Sequence, residues 1–215
     1  MTEPHPTSRD LPLVPSQSAL LFIDVQKFSA DPQGGEYDGM DPAHFEDRYG
    51  WFFRHFEAET LPNMQRLQSA FRGHGIEVMY TVIESLTRDG RDRSLDYKIT
   101  GFNVPRGSRD AEVIDALAPG EDEIVIPKTS SSVFISTNID YVLRNLGVRQ
   151  LVISGLLTDQ CVDSAVRDAC DLGYLVTVVT DACATHSMAR HESSLALNRG
   201  YCRQVTTAAL LAELD

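Results

Sequence analysis

Residues 150–180, QLVISGLLTDQCVDSAVRDACDLGYLVTVVT, decide the fold class of this chain. The apolar runs at 150–155 and 174–180 are too continuous for one-sided strands and predict strands buried on both faces. Between them, residues 160–172 place apolar side chains on one side and are followed by Gly173, which predicts a helix and its end. Strand, helix and strand in this order predict parallel strands joined by a right-handed crossover.

The same alternation continues on both sides of this stretch. Further strands are predicted at 18–24, 76–84, 123–127 and 204–206, and helices at 59–73, 111–117, 135–146, 188–199 and 208–214. This pattern predicts a parallel sheet with helices on both faces. We expect one domain, residues 18–215, preceded by an arm of residues 1–17. The long polar segment 85–108 is predicted to be either a lid or a solvated loop at a subunit contact.

The composition limits the partners of the protein. The formal net charge of −12 argues against nucleic acid and anionic membranes, since both require clustered Lys and Arg. No apolar run reaches the roughly 18 residues of a membrane-spanning helix, and the first residues lack the pattern of a secretory signal. The four cysteines have no C-x-x-C spacing. We therefore expect a cytoplasmic protein with free thiols that acts on a small molecule.

Polar residues of different reactivity follow the predicted strands. Asp24 ends the first strand, Glu84 the second and Asp181 the fifth, while Lys128 follows the third and Cys161 the fourth. Each has an ordinary structural explanation, such as a cap, a surface lysine or an inert core thiol. The carboxyl ends of parallel strands, however, lie along one edge of the sheet, where ligands bind. We therefore expect these side chains to share one crevice.

An acid, an ammonium and a thiol in one crevice predict nucleophilic catalysis. A free thiol has a pKa near 8.5, and we expect Lys128 and the start of the following helix to stabilise the thiolate of Cys161. Asp24 would take the thiol proton and pass it to a leaving amine. Backbone N–H groups of the turn 155–158, with that of Cys161, would form an oxyanion hole.

Three segments of the chain resemble the isochorismatase-like cysteine hydrolases. They are the Asp in LLFIDVQ, the Lys in PKTSSSVF, and GLLTDQCVDSAVRDACDLGYLVTVVTDACAT, and the similarity runs from about residue 18 to the C-terminus. The resemblance implies a three-layer α/β/α fold of the isochorismatase-like type, with a six-stranded parallel sheet in the order 3-2-1-4-5-6. It also implies a homodimer or homotetramer.

The resemblance also assigns roles to individual residues. Asp24 would be the general base and acid, Lys128 the group that stabilises the thiolate and the oxyanion, and Cys161 the nucleophile. The family tends to have a non-proline cis peptide, which would lie between Leu156 and Leu157. The N–H groups of Leu157 and Cys161 would then form the oxyanion hole.

Departures from the family pattern narrow the chemistry. True isochorismatases lack the cysteine and act on a vinyl ether, whereas this chain has Cys161. Nicotinamidases bind a metal through an Asp and paired histidines after the second strand, but no histidine lies between His74 and His186. We therefore expect no metal and no cofactor. The predicted function is a cysteine amidohydrolase that cleaves a C–N bond of a small carbamoyl, ureide or linear amide through an acyl-enzyme, releasing ammonia or an amine.

Other functions and the substrate contacts stay open at this point. The alternatives are a nicotinamidase-type or other isochorismatase-family hydrolase, a non-catalytic binding protein on this fold, and a redox sensor that pairs Cys161 with Cys170 or Cys183. Glu84 would accept hydrogen bonds from a ureide NH2 group. The residues predicted to line the pocket are Phe28, Glu84, Tyr97 and Phe134, and the lid cations predicted to meet a substrate carboxylate are Arg88, Arg91, Arg93, Lys98 and Arg106.

Overall fold

The structure is a computed structural model and describes residues 8–214. Its centre is a six-stranded parallel sheet in the order β3-β2-β1-β4-β5-β6, as predicted. The strands are β1 (Ser18–Ile23), β2 (Glu77–Ile83), β3 (Ile124–Lys128), β4 (Gln150–Leu156), β5 (Leu175–Ala184) and β6 (Arg203–Val205). The order reverses between β1 and β4, so a crevice opens beyond their carboxyl ends.

Helices cover both faces of this sheet. They are α1 (Lys27–Ala30), α2 (Pro42–His55), α3 (Leu61–Gly73), α4 (Leu95–Thr100), α5 (Val133–Ser136), α6 (Ile139–Asn145), α7 (Asp163–Asp171), α8 (Met188–Asn198) and α9 (Thr207–Leu211). Two π turns, Phe56–Thr60 and Thr158–Val162, lead into α3 and α7. Helices α2, α3 and α9 pack on one face, and α5, α6 and α7 pack on the other.

Strand β1 shows why the sheet sits between two helix layers. All six of its residues are buried, and successive side chains point to opposite faces. Leu20 and Phe22 join the core under α2 and α3, whereas Leu21 and Ile23 join the core under α6 and α7. Each such side chain contributes about 1.5–3 kcal/mol by burial. This double burial fixes the strand whose end carries Asp24.

The helix before β2 is longer than predicted. The sequence predicted residues 59–73, but α2, a π turn and α3 run without interruption through residues 42–73. Helix α2 begins at Asp41, whose carboxylate accepts hydrogen bonds from the N–H groups of Ala43 and His44. An Asp-Pro start of this kind is a recognised helix signal. The sequence analysis did not predict α2, because its buried face is aromatic and aromatic residues have only moderate helix propensity.

Two predicted helices are wrong in the structure. Residues 111–117 form no helix: the turns Arg109–Ala111 and Asp115–Leu117 flank a bridge between Gln26 and Val113. The predicted helix 135–146 is divided into α5 and α6. Its break follows from Thr137, which is extended and whose hydroxyl accepts a hydrogen bond from the N–H of Ile139. Ile135, predicted on the buried face, is 78% exposed.

The described part of the predicted arm lies along the start of β4. Gln150 accepts hydrogen bonds from the N–H of Val14 and the hydroxyl of Ser18, and donates one to the carbonyl of Pro12. Residues 1–7 and 215 lie outside the described residues. The division into an arm and one domain stays a prediction, as do the homodimer or homotetramer and the subunit that segment 85–108 covers. Within residues 8–214, the helices are too short or too polar to cross a membrane.

Candidate active site

Asp24, Lys128 and Cys161 meet at the carboxyl edge of the sheet. Asp24 follows β1, Lys128 ends β3, and Cys161 lies in the π turn between β4 and α7. The Lys128 Nζ atom lies 2.8 Å from Asp24 Oδ2 and 3.4 Å from Cys161 Sγ. Their relative exposures are 2% for Asp24, 0% for Lys128 and 6% for Cys161. The three reactive groups predicted from separate strands therefore share one nearly dry site.

The carboxylate of Asp24 is oriented by β2. Its Oδ1 accepts a hydrogen bond of 2.7 Å from the Thr81 hydroxyl. The backbone N–H of Asp24 donates hydrogen bonds to the carbonyl and hydroxyl oxygens of Thr81. Asp24 also has a positive φ of 51°, which turns the chain out of β1. Oδ2 is close to the Lys128 ammonium but receives no well-aligned hydrogen bond. The carboxylate is therefore held between Thr81 and Lys128, with Oδ2 on the side of the ammonium.

Lys128 is held as an ammonium in spite of its burial. Desolvation is the largest single influence and would lower the pKa of Lys128, but the charge of Asp24 and smaller contributions from other neighbouring groups together outweigh it and raise the pKa above the ordinary value. The Nζ atom donates hydrogen bonds to the carbonyl of Ser130 at 2.8 Å and to the hydroxyl of Tyr97 at 3.3 Å. The ammonium is thus fixed beside the sulfur by contacts to three elements of the site.

Burial acts against ionisation of the Cys161 thiol. Burial raises the pKa of Cys161 to about 12, and the nearby Lys128 lowers it only in part, while Asp24 raises it further. Lys128 thus acts against the effect of burial, and its role in stabilising a thiolate stays a prediction. The Asp24 carboxylate beside the sulfur disfavours a second buried anion. A nucleophilic step that starts from the thiol has to remove its proton during the reaction.

The turn that carries Cys161 is held in place by hydrogen bonds to α8. The hydroxyl of Thr158 lies 2.9 Å from His191 Nδ1, and the carbonyl of Thr158 accepts a hydrogen bond from Ser194. The peptide bond between Leu156 and Leu157 is cis. Asp159 is bonded to the hydroxyl of Thr185 at 2.6 Å. These contacts keep residues 157–161 at the mouth of the crevice.

Segment 85–108 folds over this crevice and contains a short helix. Helix α4 begins at Ser94, whose hydroxyl caps the N–H of Tyr97. The Tyr97 ring stacks on Phe102 with centroids 5.5 Å apart, and Phe102 packs edge-on against Phe28 at 5.1 Å. The hydroxyl of Tyr97 reaches to 3.9 Å from Cys161 Sγ. The segment therefore contacts the reactive groups directly through one side chain.

A cavity of about 720 Å³ opens above Cys161. Phe28 and Tyr97 line it, as predicted from the sequence, whereas Glu84 and Phe134 do not. Glu84 turns away to accept a hydrogen bond from the N–H of Gly107, and Phe134 packs beside Tyr174 in the opposite helix layer. The prediction that Glu84 and Phe134 line the pocket is therefore corrected. The cations predicted from the lid also lie outside the lining.

Besides Asp24 and Asp96, four charged or titratable side chains of the lining come from segments that the sequence analysis did not single out. Glu36 precedes α2, Arg48 lies on α2, His186 precedes α8 and Arg190 lies on α8. His186 and Arg190 could have been found from their position in the sequence, because they follow β5 and so lie at the same edge of the sheet as Cys161. Arg48 carried no such signal, because α2 was not predicted. Asp181, by contrast, has a structural role and accepts hydrogen bonds from the N–H and hydroxyl of Thr207.

The His, Cys, Asp and Glu side chains of the described residues are dispersed. Within 8–214, the structure brings together no group of three or more His, Cys, Asp or Glu side chains that could hold a metal ion. His186 is occupied instead by edge-on contacts with the rings of Tyr49 and Phe52. All four cysteines are free thiols.

Comparisons with known proteins identify the family. The isochorismatase domain matches residues 18–209. The ureidoacrylate amidohydrolase RutB of Rhizobium rhizogenes is 30% identical over 194 residues, which cover 82% of this chain and 73% of that protein. A cysteine hydrolase from Pseudomonas syringae pv. phaseolicola has a similar structure, with a TM-score of 0.80, 24% identity, and coverage of 100% of this chain and 98% of that chain. For an isochorismatase family protein from Desulfovibrio vulgaris, the TM-score is 0.72 and the identity 29%, over 90% of this chain and 96% of that chain. This chain is therefore a member of the isochorismatase family.

Proposed function

We propose that this chain is a cysteine amidohydrolase that cleaves a C–N bond of a small ureide, carbamoyl compound or linear amide. The observation that carries the proposal is the contact of Lys128 Nζ with both Asp24 Oδ2, at 2.8 Å, and Cys161 Sγ, at 3.4 Å, beneath a cavity. The similarity to a ureidoacrylate amidohydrolase supports hydrolysis of a ureide. A cavity of about 720 Å³ suits a small molecule.

The first chemical step would form a bond between the sulfur of Cys161 and the substrate carbonyl carbon. As the S–C bond forms, the thiol proton moves to Asp24 Oδ2, which has no aligned hydrogen bond of its own. Lys128 remains charged and balances the negative charge that arises beside it. The N–H groups of Leu157 and Cys161 would bind the carbonyl oxygen, since both residues line the cavity.

The second step would release the amine. The protonated Asp24 donates its proton to the leaving nitrogen, the C–N bond breaks, and a thioester remains on Cys161. Water then attacks the thioester with Asp24 as the base, the C–S bond breaks, and Asp24 passes the proton from water to the sulfur, which leaves the acid product, the free thiol and an ionised Asp24. A ureide would release ammonia and a carbamate when its terminal C–N bond breaks, or an amine, carbon dioxide and ammonia when its internal C–N bond breaks. Asp24 thus serves as base and acid in both halves of the reaction without needing a second base.

The test is ammonia release from ureidoacrylate, biuret, N-carbamoyl amino acids, nicotinamide and maleamate. We expect Cys161→Ala to lower the rate by on the order of 10⁴-fold or more, because the nucleophile is removed. Cys170→Ser, which changes a half-buried thiol on α7, is the matched control and should retain the wild-type rate. Acid quenching during turnover should leave an acyl group on the peptide that contains Cys161. Wild-type turnover by Cys161→Ala would disprove the proposal.

A further inference from the structure

Helix α8 contacts Thr158, the first residue of the π turn that carries Cys161, at two points. Ser194 donates a hydrogen bond of 3.0 Å to the carbonyl of Thr158, and the ring nitrogen Nδ1 of His191 lies 2.9 Å from its hydroxyl. Thr158 is 0% exposed and His191 is 8% exposed. The contact between these two side chains is therefore made in the interior, away from solvent.

The burial of Thr158 fixes the direction of its hydrogen bond with His191. Among residues 8–214, the Thr158 hydroxyl makes no hydrogen bond other than the one with Nδ1. A buried O–H group without an acceptor is unfavourable, so the hydroxyl donates and Nδ1 accepts. A neutral imidazole has one accepting nitrogen and one that carries a proton. The ring of His191 is therefore held as the tautomer with its proton on Nε2.

The surroundings of His191 favour the neutral ring. Burial is the largest influence and lowers the pKa of His191, and the charge of His55 on α2 acts in the same direction. Glu192 of α8, Glu59 of the π turn before α3, and the backbone of Thr180 in β5 raise this pKa by smaller amounts. The pKa of His191 thus lies below its ordinary value, and Nδ1 remains a hydrogen-bond acceptor at neutral pH.

Thr158 connects this hydrogen bond to the backbone above the cavity floor. It follows Leu157 directly and lies in the same π turn as Cys161. Leu157 and Cys161 line the cavity, whereas Thr158 and His191 do not. Hydrogen-bond donors stabilise an oxyanion only when they are already in place as the charge develops. A shift of Thr158 would therefore displace the N–H groups on either side of it without changing the surface that the substrate touches.

We propose, on the basis of the function proposed above, that His191 is a positioning residue whose neutral imidazole holds the Thr158 hydroxyl and thereby aligns the N–H groups of Leu157 and Cys161 for the oxyanion. The imidazole does not touch the substrate and exchanges no proton with it. Its effect is on the transition state, because the carbonyl oxygen becomes negative only as the S–C bond forms. Loss of the hydrogen bond should therefore lower kcat and leave KM nearly unchanged.

The first test removes the hydroxyl of Thr158 and keeps the shape of the side chain. Thr158→Val should lower kcat about 10-fold on the best substrate of the ammonia screen, as expected for the loss of one hydrogen bond, with KM nearly unchanged. Thr158→Ser retains a hydroxyl and should recover most of this loss. Thr60→Val is the matched control, because Thr60 is also 0% exposed but its hydroxyl has no hydrogen-bond partner within residues 8–214. This control should keep the wild-type kcat.

A double-mutant cycle tests whether the two side chains act as one unit. His191→Leu removes the acceptor and should lower kcat by about the same factor as Thr158→Val, whereas His191→Asn places an amide oxygen near the position of Nδ1 and should lose less. The double variant Thr158→Val/His191→Leu should be no slower than the slower single variant, because the one hydrogen bond is already lost. Urea unfolding of each variant separates effects on kcat from loss of folded protein. If His191→Leu does not fold, Thr158→Val and Thr158→Ser decide the question by themselves.

The possible failures can be told apart. A wild-type kcat in Thr158→Val, or an effect confined to KM, would overturn the positioning role of His191 and leave the proposed function intact. A double variant whose loss in kcat equals the product of the two single losses would do the same, because the two side chains would then act independently. Absence of turnover with every compound of the screen would overturn the proposed function itself, and the positioning role with it.

Discussion

The hydroxyl of Tyr97 is the one contact that segment 85–108 makes with the reactive groups. It lies 3.3 Å from Lys128 Nζ and 3.9 Å from Cys161 Sγ, and Tyr97 is 4% exposed. Burial raises the pKa of Tyr97, so its hydroxyl stays protonated and accepts a hydrogen bond from Lys128. Tyr97 is therefore a positioning residue, which acts through the ammonium beside the sulfur.

Replacing Tyr97 with Phe should lower kcat by about 5- to 10-fold, the usual effect of losing one hydrogen bond. KM should change little, because the ring still stacks on Phe102 and still closes the cavity. Tyr141→Phe, which alters a tyrosine that is 69% exposed on α6, is the control. Steady-state kinetics on the best substrate separates kcat from KM. A normal kcat in Tyr97→Phe would mean that the hydroxyl does not position Lys128.

At the residue scale, the sequence predicted the reactive side chains that follow strands better than the side chains that line the cavity around them. Asp24, Lys128 and Cys161 could be selected because each is a reactive residue at the end of an apolar run, and the structure brings them together. Glu84 satisfied the same criterion and still turns away toward Gly107. The direction of a side chain after a strand depends on the turn that follows, which periodicity does not specify.

At the level of elements, Gly155 allows β4 to approach β1. Its φ is 140°, and a Cβ atom there would lie 2.3 Å from the carbonyl oxygen of Ile23 and 2.6 Å from its nitrogen. The pairing of β4 with β5 also shifts register between Ile153 and Gly155. A glycine is therefore required where β4 leaves the sheet toward Cys161, directly beside the residue that precedes Asp24.

Gly155→Ala should destabilise the protein by on the order of 3 kcal/mol, from backbone strain and from the overlap with β1. It should also reduce turnover, because displacement of Ile23 moves Asp24 away from the sulfur. Gly147→Ala is the matched control: its φ is 75°, but no atom lies within 4 Å of the added methyl group. That variant should lose only about 1 kcal/mol and keep full activity. Urea unfolding and ammonia release measure both effects, and equal stability of the two variants would refute the steric argument.

Elements buried in the sheet were predictable, and elements near the edge of the crevice were not. Apolar runs predicted β1, β2 and β4 to within one residue at each end, since a strand buried on both faces must be apolar throughout. The break between α5 and α6 depends on the hydrogen bond at Thr137, which overrides an apolar periodicity that continues through residues 135–146. Local capping of this kind competes with periodicity and is decided by the tertiary position of each helix.

For the molecule as a whole, Gln150 joins the strap, here residues 8–17 of the predicted arm, to the sheet. The side chain is 6% exposed and bonds at 2.5 Å to the N–H of Val14 and at 2.9 Å to the carbonyl of Pro12. The same segment also reaches the turn after α9, because the N–H of Leu13 binds Glu213 at 3.1 Å. These contacts lie at the amino end of the strands, opposite the crevice.

Gln150→Ala should therefore lower the free energy of unfolding by about 2 kcal/mol, because it removes the hydrogen bonds of Gln150 to Pro12, Val14 and Ser18. The kinetic constants should not change, since the cavity is at the other edge of the sheet. Arg149→Ala, at the exposed neighbouring position, is the control and should shift the unfolding midpoint only slightly. A Gln150→Ala protein as stable as the wild type would show that the strap contributes nothing to the fold.

The buried sulfur of Cys161 has a consequence for inhibitor design. Simple alkylating agents react with thiolates, and burial raises the pKa of Cys161 to about 12. General electrophiles should thus modify the more accessible Cys170 before they reach Cys161. A selective warhead has to enter the cavity first and present a carbonyl-like carbon, so that bond formation itself drives the proton onto the neighbouring carboxylate.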